Sequence, residues 1–465
     1  MPSAEEDQVP ETDARMEWIR PLRMAPSRPL LRHNQKETSM SLEKQYLDLA
    51  VSLRRAIHKR PEPGWCEFET TYKIVSTLEG LGYDVKFGID AVAPEAVMGR
   101  NEAEVRAAVE RALAHGVPKS FIDASGGYTG AVGFFDTGRE GKTLALRFDI
   151  DCVMVTETSD PEHEAVKGGY ASEIPGCMHA CGHDAHTAVG LALAAWIADH
   201  RDELCGRFIL LFQPGEEGAR GARSMVAKGW VDHVDYLFCS HIGGDAKLGQ
   251  GNVAESGFLA TSKIDITFTG LPSHAGAAPE RGRNAITAAA TAVLLMQGIP
   301  RHSGGASRIS VGTLHAGEGR NVTPVHAKME VETRGATHEI NEYMRNSVFR
   351  IVEGIESTLD VKGSAVIVGE GTTLKTTKAG THLLSEVLHE VLGADFVQLP
   401  APGASEDCTH LMRRAIECGA DAGWFGWGCN HHGHHCADFA IQDETSLACA
   451  LEIYTHLVER TNGRS

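Results

Sequence analysis

Short apolar runs that alternate with helical stretches constrain the fold of this chain more than any other feature of its sequence. Four runs have the length and composition of strands, and they cover residues 130–135, 143–148, 208–212 and 236–240. Residues 186–200 lie between the second and third runs and are typical of a buried helix. Because strands that alternate with helices pair mostly in parallel, the sequence predicts an α/β fold with a mixed, largely parallel sheet flanked by helices.

The composition excludes several classes of partner. The chain has 465 residues, enough for two or three domains, and its 62 acidic and 44 basic residues give a formal net charge of −18. Such an acidic protein is unsuited to nucleic acid or to an anionic membrane surface, and no apolar run is long enough to span a membrane. The 11 cysteines are odd in number and scattered, which indicates a reducing cytoplasm rather than a disulfide framework.

A change of pattern divides the chain into regions. Residues 1–39 are rich in proline and charge and are expected to form a disordered tail. Residues 93–124 interrupt the α/β pattern, and their apolar spacing predicts one inserted amphipathic helix. Alternating strands and two long helices in residues 258–371 predict an α+β unit of the ferredoxin-like type. The sequence therefore predicts a main domain formed by residues 40–257 and 372–465, into which the smaller unit is inserted.

Acidic and histidine side chains follow three of the predicted strands directly. Asp151 comes after the second run, Glu216 and Glu217 come after the third, and His241 comes after the fourth. Ligands of open α/β sheets bind beyond the carboxyl ends of the strands. We therefore expect these side chains to meet at one edge of the sheet.

Residues 178–187 form the densest cluster of metal-binding side chains, with one cysteine and three histidines. Cys181 and His183 are two residues apart, and Gly182 between them allows a tight bend that turns both toward one ion. A thiolate together with an imidazole suits a borderline-soft divalent ion. The sequence therefore predicts a metal site at this segment.

Two further segments add to this site. Of the adjacent pair Glu216 and Glu217, one carboxylate can bind metal while the other faces the water that the metal activates. Residues 431–436 add four histidines and Cys436, and they follow the aromatic run 424–428. We expect this late segment to emerge from the core rather than to lie on the surface.

The His-Ala-Cys-Gly-His-Asp signature at residues 179–184 resembles that of the aminoacylase/carboxypeptidase family of two-metal amidohydrolases, and the resemblance extends from about Ser41 to the C-terminus. It implies that Glu216 is the general base and that Asp151 steers the site from behind the metal ligands. It implies two divalent metal ions in each chain, with manganese expected first and zinc or cobalt as alternatives. The ligands that it implies are Cys181, His183, Glu217, His241 and His435.

The same resemblance implies that residues 258–371 are a lid and dimerisation domain. His274 would reach from this domain into the active site of the partner chain and stabilise the oxyanion. Asn284, Asn321 and Arg334 occupy positions at which the family binds substrate oxygen atoms and a substrate carboxylate. The resemblance thus implies a homodimer, and the alternative is a complex with a second, related chain.

The chain departs from the family pattern directly after His435. The aromatic residue is retained as Phe439, but an acid, Asp438, now precedes it and the small polar neighbours are missing. The first hypothesis is hydrolysis of the amide of an N-acyl or N-aroyl amino acid, an aryl-glutamate amide first. The second is the release of ammonia from an aromatic amine by the same site, and the third is a metal-binding scaffold without catalysis. The expected substrate is a small anionic amino-acid conjugate or an aromatic acid.

Overall fold

The computed structural model describes residues 44–397 and 404–464, so the predicted tail at 1–39 lies outside the described residues. Their strands are, in chain order, β1 (Asp84–Phe87), β2 (Ala131–Asp136), β3 (Thr143–Asp149), β4 (Arg207–Gln213), β5 (Tyr236–Ile242), β6 (Gly251–Ala254), β7 (Ala260–Thr269), β8 (Ser307–Ala316), β9 (His326–Gly335), β10 (Lys362–Gly371), β11 (Phe396–Val397) and β12 (Asp421–Trp427). Their helices are α1 (Lys44–His58), α2 (Phe68–Gly80), α3 (Glu102–Ala114), α4 (Lys119–Ser125), α5 (Glu164–Lys167), α6 (His183–Asp199), α7 (Ala222–Ala227), α8 (Ala285–Gln297), α9 (His338–Leu359), α10 (Lys378–Leu392), α11 (Cys408–Glu417) and α12 (Asp443–Asn462).

The larger sheet has the strand order β1-β2-β4-β3-β5-β12-β6-β11. Its central strands β4, β3, β5 and β12 run parallel. The pairs β1–β2, β2–β4 and β12–β6 are antiparallel, and β11 pairs with β6 in parallel. The mixed, largely parallel α/β sheet predicted from the sequence is therefore confirmed. Since the central strands are parallel, their carboxyl ends share one edge.

Helices cover the larger sheet and keep its central strands out of water. In β3, all residues but the first are buried, as expected for a strand that is covered on both faces. Helix α6 is buried through its first fifteen residues. The four predicted strands and this buried helix are all present, with ends that differ by a few residues from the sequence-based bounds.

The smaller sheet has the order β10-β7-β9-β8, and all of its pairs are antiparallel. Along the chain its elements run β7-α8-β8-β9-α9-β10, which is the ferredoxin-like arrangement that the sequence predicted. Alternate residues of β7, such as Ile264, Ile266 and Phe268, join α8 and α9 in a second hydrophobic core. The domain boundaries, and the role of this unit as a lid, stay predictions.

The prediction of one helix for residues 93–124 is wrong. The segment forms two helices, α3 and α4. Gly116 adopts a φ of 96°, which ends the first helix, and Pro118 occupies the position just before the second. Both residues are helix-breaking signals, and the apolar spacing used for the prediction did not register them.

The eleven cysteines all lie within the described residues, and all are free thiols. This agrees with the expectation, drawn from their odd number and scattered positions, that they form no disulfide framework. Within residues 44–397 and 404–464, no helix combines the length and apolar character that crossing a bilayer requires.

We expect Gly190→Ala to destabilise the main domain. Gly190 lies in α6 where the helix crosses the sheet, and an added Cβ would stand 2.8 Å from the Phe148 ring and 2.9 Å from the Phe212 ring. Both rings are buried, so they cannot move aside without disturbing their own packing. The expected loss is about 1–3 kcal/mol in the free energy of unfolding, measured by chemical denaturation.

Gly354→Ala is the matched control for this substitution. Gly354 lies in α9, and an added Cβ there meets no heavy atom within 4 Å. A helical glycine that is replaced by alanine at an open position gains about 0.5–1 kcal/mol. If Gly190→Ala is as stable as the wild type, the helix and sheet are not packed as closely as the structure shows.

Candidate active site

The segment that carries Cys181 and His183 enters the site from the N-terminus of α6. Gly182 between them has a φ of 90°, and an added Cβ would collide with the Ile242 side chain. Only glycine adopts this conformation readily, and only glycine fits the space. The tight bend predicted from the sequence is therefore present, and it places Cys181 and His183 on one side of the turn.

Asp151 connects the segment after β3 to the loop after β4. Its two carboxylate oxygens accept hydrogen bonds from the backbone N–H groups of Glu216, at 3.0 Å, and Glu217, at 2.9 Å. His183 Nδ1 lies 3.0 Å from the Asp151 carbonyl oxygen, so this nitrogen donates and Nε2 faces the cluster. Through these contacts Asp151 orients both the loop and the imidazole.

The five predicted ligands lie together at the carboxyl edge of the sheet. Ligand atoms of Cys181, His183 and Glu217 are within 4.8 Å of one another. The Cys181 Sγ is 3.6 Å from His241 Nε2, and Glu217 Oε1 is 3.1 Å from His435 Nε2. The structure therefore brings all five side chains into one connected cluster.

The donor atoms in this cluster fit divalent metal ions. His183 Nε2 is buried without a hydrogen-bond partner, which is costly unless a ligand satisfies it, and Glu217 Oε1 is buried with the His435 ring beside it. Burial, together with the His186 and His434 rings, holds the pKa of His241 well below its usual range, so its imidazole is neutral as a ligand must be. Thiolate, imidazole and carboxylate donors are the set that zinc, manganese or cobalt sites use.

Glu216 is buried beside this cluster among other acids. Its carboxylate is 4.0 Å from His183 Nε2 and within 4.8 Å of the carboxylates of Glu406 and Asp407. Burial, followed by repulsion from Glu406 and Glu217, raises the pKa of Glu216 well above its usual range. A carboxyl group with a raised pKa is a better proton acceptor than an ordinary one, as a general base must be.

A buried arginine holds the acids behind Glu216. The Arg147 guanidinium contacts Asp149 at 2.6 Å, Glu406 at 3.0 Å and Asp407 at 3.3 Å. Asp407 also accepts hydrogen bonds from the backbone N–H groups of residues 221 and 222. This ion-pair network fixes the loop that carries Glu216 to the opposite side of the site.

A cavity of about 290 Å³ opens over the cluster. Its lining includes Glu216 at the metal end and Arg334 of β9 from the smaller domain. Trp424 and Phe258 form an aromatic wall, with ring centroids 5.5 Å apart in an edge-to-face arrangement. The cavity thus offers a cation and an aromatic surface in the same space as the reactive residues.

The other three residues predicted for the smaller domain, His274, Asn284 and Asn321, are exposed and lie outside the lining of this cavity. His274 pairs with Val322 through an isolated β-bridge, and the Ala275 N–H donates to the Asn321 carbonyl. Asn284 caps α8 by accepting a hydrogen bond from the Thr287 N–H. Within one chain, His274 and Asn321 are therefore neighbours, and neither they nor Asn284 line the cavity over the metal cluster.

The sequence analysis missed several residues of the site. His434 lies beside its predicted neighbour, and its Nδ1 is 3.6 Å from Cys181 Sγ. His186 bonds to Asp149 and accepts a hydrogen bond from the Ile242 N–H, which fixes the end of β5. The run of four histidines was a signal for His434, but spacing alone does not show which ring turns inward.

The altered segment after His435 does not place its acid in the cavity. Asp438 is on the surface, where it bonds to His432 at 2.7 Å. Phe439 is buried and packs against the His434 ring at 5.2 Å between centroids. The departure from the family pattern therefore changes the outer surface, and the retained aromatic residue supports the histidine loop.

The Cys/His/Glu cluster lies at the edge where the parallel strands end, and a ferredoxin-like unit is inserted into the same chain. This combination defines a class of hydrolase. The family model for peptidase family M20/M25/M40 matches residues 145–460, and the chain belongs to this family. The match includes most of β3, all strands from β4 to β12, the cluster and the inserted unit described above. The resemblance drawn from the sequence is confirmed.

Two relatives and one solved structure are similar over nearly the whole chain. A homolog of a p-aminobenzoyl-glutamate hydrolase chain, from Haemophilus influenzae, is 44% identical over 89% of this chain and 98% of its own length. The indole-3-acetyl-aspartic acid hydrolase of Enterobacter agglomerans is 41% identical over 88% of this chain and 95% of its own length. The aminobenzoyl-glutamate utilization protein from Klebsiella pneumoniae has a TM-score of 0.76 and 36% identity, covering 90% of this chain and 98% of the other.

Proposed function

We propose that this protein hydrolyses the amide bond between an aromatic acyl group and an amino acid, with an aryl conjugate of glutamate as its first substrate. One observation carries this proposal: a buried Cys/His/Glu cluster, a base and a cation-bearing aromatic cavity share one site. The names of the two relatives describe hydrolases of an aminobenzoyl and an indoleacetyl conjugate, and both conjugates contain an acidic amino acid.

The proposed ligands are Cys181, His183, Glu217, His241 and His435, holding two divalent ions, with manganese first and zinc or cobalt as alternatives. Such ions supply a Lewis acid that polarises the substrate carbonyl and lowers the pKa of water. Metal ligands must be deprotonated, and the low pKa of His241 keeps that one ring neutral before the ions bind.

The protein's own residues then carry the proton and hold the substrate. Glu216 accepts a proton from the attacking water and returns it to the departing amine nitrogen. Arg334 binds a substrate carboxylate by two-point hydrogen bonding. Trp424 and Phe258, which line the cavity, face the aryl group.

The cavity favours amide hydrolysis over the release of ammonia from an aromatic amine. The hypothesis of an aryl-amine substrate rested on the altered segment after His435, and Asp438 of that segment lies on the surface. The scaffold hypothesis gives no role to Glu216, a buried carboxyl group that lines the cavity beside the cluster.

Product analysis tests the proposed function. The manganese-loaded protein is incubated with N-(4-aminobenzoyl)-glutamate, and we expect equal amounts of 4-aminobenzoate and glutamate. Ammonia without glutamate would support the aryl-amine reaction instead. The absence of turnover on a panel of acyl and aroyl amino acids would support the scaffold.

Metal removal should abolish activity. The reason is that the buried ligand atoms, among them His183 Nε2 and Glu217 Oε1, lose the ions that hold them in place. Exhaustive chelation, verified by elemental analysis, is expected to stop amide hydrolysis, and added manganese, cobalt or zinc should restore part of it. Full activity in a verified metal-free sample would contradict the proposed chemistry.

We further propose a homodimer in a reducing cytoplasm, which suits eleven free thiols. The outer face of α8 exposes Ile286, Leu294 and Leu295, and Leu294 is 74% exposed. The neighbouring β8 is an edge strand that exposes Leu314. An apolar helix face beside an open sheet edge is a surface that a second chain covers. The alternative is that a different, related chain covers this face.

A further inference from the structure

Lys263 of β7 is a second cation on the lid wall of the cavity, next to Arg334. In the pairing of β7 with β9, Lys263 is opposite Glu332, and Thr261 is opposite Arg334. Since successive residues of a strand point to opposite faces, these four side chains share the face of the smaller sheet that looks into the cavity. Ile264 and Ile266 point to the other face, into the core.

Glu332, the carboxylate on this face, already accepts hydrogen bonds from groups other than Lys263. Glu332 Oε1 accepts hydrogen bonds from Thr261 Oγ1 and from Arg334, both at 3.1 Å. Among residues 44–397 and 404–464, no ion pair involves Lys263. Lys328, on the next strand of the same sheet, instead bonds to both Asp265 and Glu330. The lid wall therefore carries one positive charge that the protein does not neutralise.

Lys263 also lies near the metal end of the site. Lys263 lines the same cavity as Glu217 and His435, two of the proposed metal ligands. Lys263 is half-buried, and a half-buried ammonium without a carboxylate is unfavourable. A substrate that brings a second carboxylate removes this cost.

We propose that Lys263 binds the side-chain carboxylate of the amino acid while Arg334 binds its α-carboxylate, so that the site selects conjugates of dicarboxylic amino acids. This inference rests on the proposed function and extends it to the chemistry of the amino-acid half. A site built to pair a charge rejects the neutral analogue because its own charge is then left desolvated and unpaired.

The test compares two substrates that differ only in charge. N-(4-aminobenzoyl)-glutamate and N-(4-aminobenzoyl)-glutamine have nearly the same shape. Lys263→Met keeps most of the side-chain stem and removes the charge. We expect kcat/KM for the glutamate conjugate to fall about 10- to 100-fold, the factor that a hydrogen bond to a charged group contributes, while the value for the glutamine conjugate changes little.

Lys328→Met is the matched control, because Lys328 is a lysine of the same sheet that does not line the cavity. It should leave both values of kcat/KM unchanged. If Lys263→Met lowers kcat/KM equally for both conjugates, Lys263 supports the fold and does not recognise the charge of the substrate side chain. No loss on either conjugate would also overturn the proposal.

Binding separates this proposal from the proposed function. If the wild-type holoenzyme cleaves neither conjugate, the proposed function fails, and calorimetry on the same holoenzyme still tests Lys263. The glutamate conjugate should then bind more tightly than the glutamine conjugate, and Lys263→Met should remove the difference. Equal binding of the two conjugates to the wild type, or no binding of either, would reject the role of Lys263.

Discussion

Glu216→Gln should lose about a hundredfold or more of kcat/KM while its metal content stays close to that of the wild type. The amide keeps the shape of the carboxylate but cannot accept a proton from water, and removing a general base costs this order of magnitude. Its backbone N–H keeps the bond to Asp151, so the loop stays in place. Steady-state kinetics combined with elemental analysis of the same sample measures both quantities.

Glu217→Gln is the matched control on the neighbouring residue. Glu217 Oε1 is buried and faces Cys181, His183 and His435, as expected of a metal-binding atom. This variant should lower metal occupancy, and its activity should recover at high metal concentration. If Glu216→Gln loses the metal and Glu217→Gln keeps it, the two roles are exchanged.

When the metal is absent, Glu216→Gln should be at least as stable as the wild type. The pKa of Glu216 is raised above its usual range by burial and by Glu406 and Glu217, so at neutral pH the folded state is destabilised by ionising it. A carboxyl group whose pKa is raised in the folded state lowers the free energy of unfolding as the pH rises above its pKa in the unfolded state. Glutamine does not ionise, so the substitution removes this loss of stability. Metal-free Glu216→Gln should therefore melt at or above the temperature of the metal-free wild type at pH 7.

The edge of the sheet that holds the site could be predicted from the sequence. The alternation of strands and helices along the chain indicates parallel strands, whose carboxyl ends lie at one edge. Asp151, Glu216 and His241 each follow an apolar run, and parallel pairing of β3, β4 and β5 brings their ends together. Gly182 between two ligands is also a local signal. Short-range chemistry of this kind depends on neighbours in the chain and is visible in one sequence.

Packing across long distances in the chain could not be predicted. Arg147 meets Glu406 across 259 residues, and no local pattern marks the two as partners. Which of His434 and His435 turns toward Cys181 depends on the loop that leaves β12 and on Phe439 behind it. The surplus charge of Lys263 likewise becomes visible only when the register of β7 and β9 shows that Glu332 is bonded elsewhere.

His274→Ala should be nearly inactive, yet it should fold and bind metal as the wild type does. His274 is exposed and lies outside the lining of its own chain's cavity. Its Nδ1 accepts hydrogen bonds from the N–H groups of Gly276, at 3.2 Å, and Ala277, at 3.0 Å. The proton is therefore on Nε2, which makes the exposed His274 ring a hydrogen-bond donor.

Such a donor suits the partner's transition state. In the proposed homodimer, His274 of one chain hydrogen-bonds the oxyanion that forms in the site of the other, so its loss should reduce kcat far more than it weakens substrate binding. The exposed apolar face of α8 and the edge strand β8 belong to the same small domain and give the second chain a surface to occupy. A histidine that served only its own loop would leave kcat unchanged on substitution.

Complementation distinguishes a shared site from a site within one chain. Co-expression of His274→Ala with Glu216→Gln, each inactive alone, forms heterodimers in which one of the two sites has both residues intact. Random pairing makes half of the dimers mixed, so about a quarter of the wild-type activity should return. Co-expression of His274→Ala with a chain that carries both substitutions should recover nothing. If a purified heterodimer of the two single variants is inactive, His274 does not act across the dimer, because every other requirement of the site is then met in one of its halves.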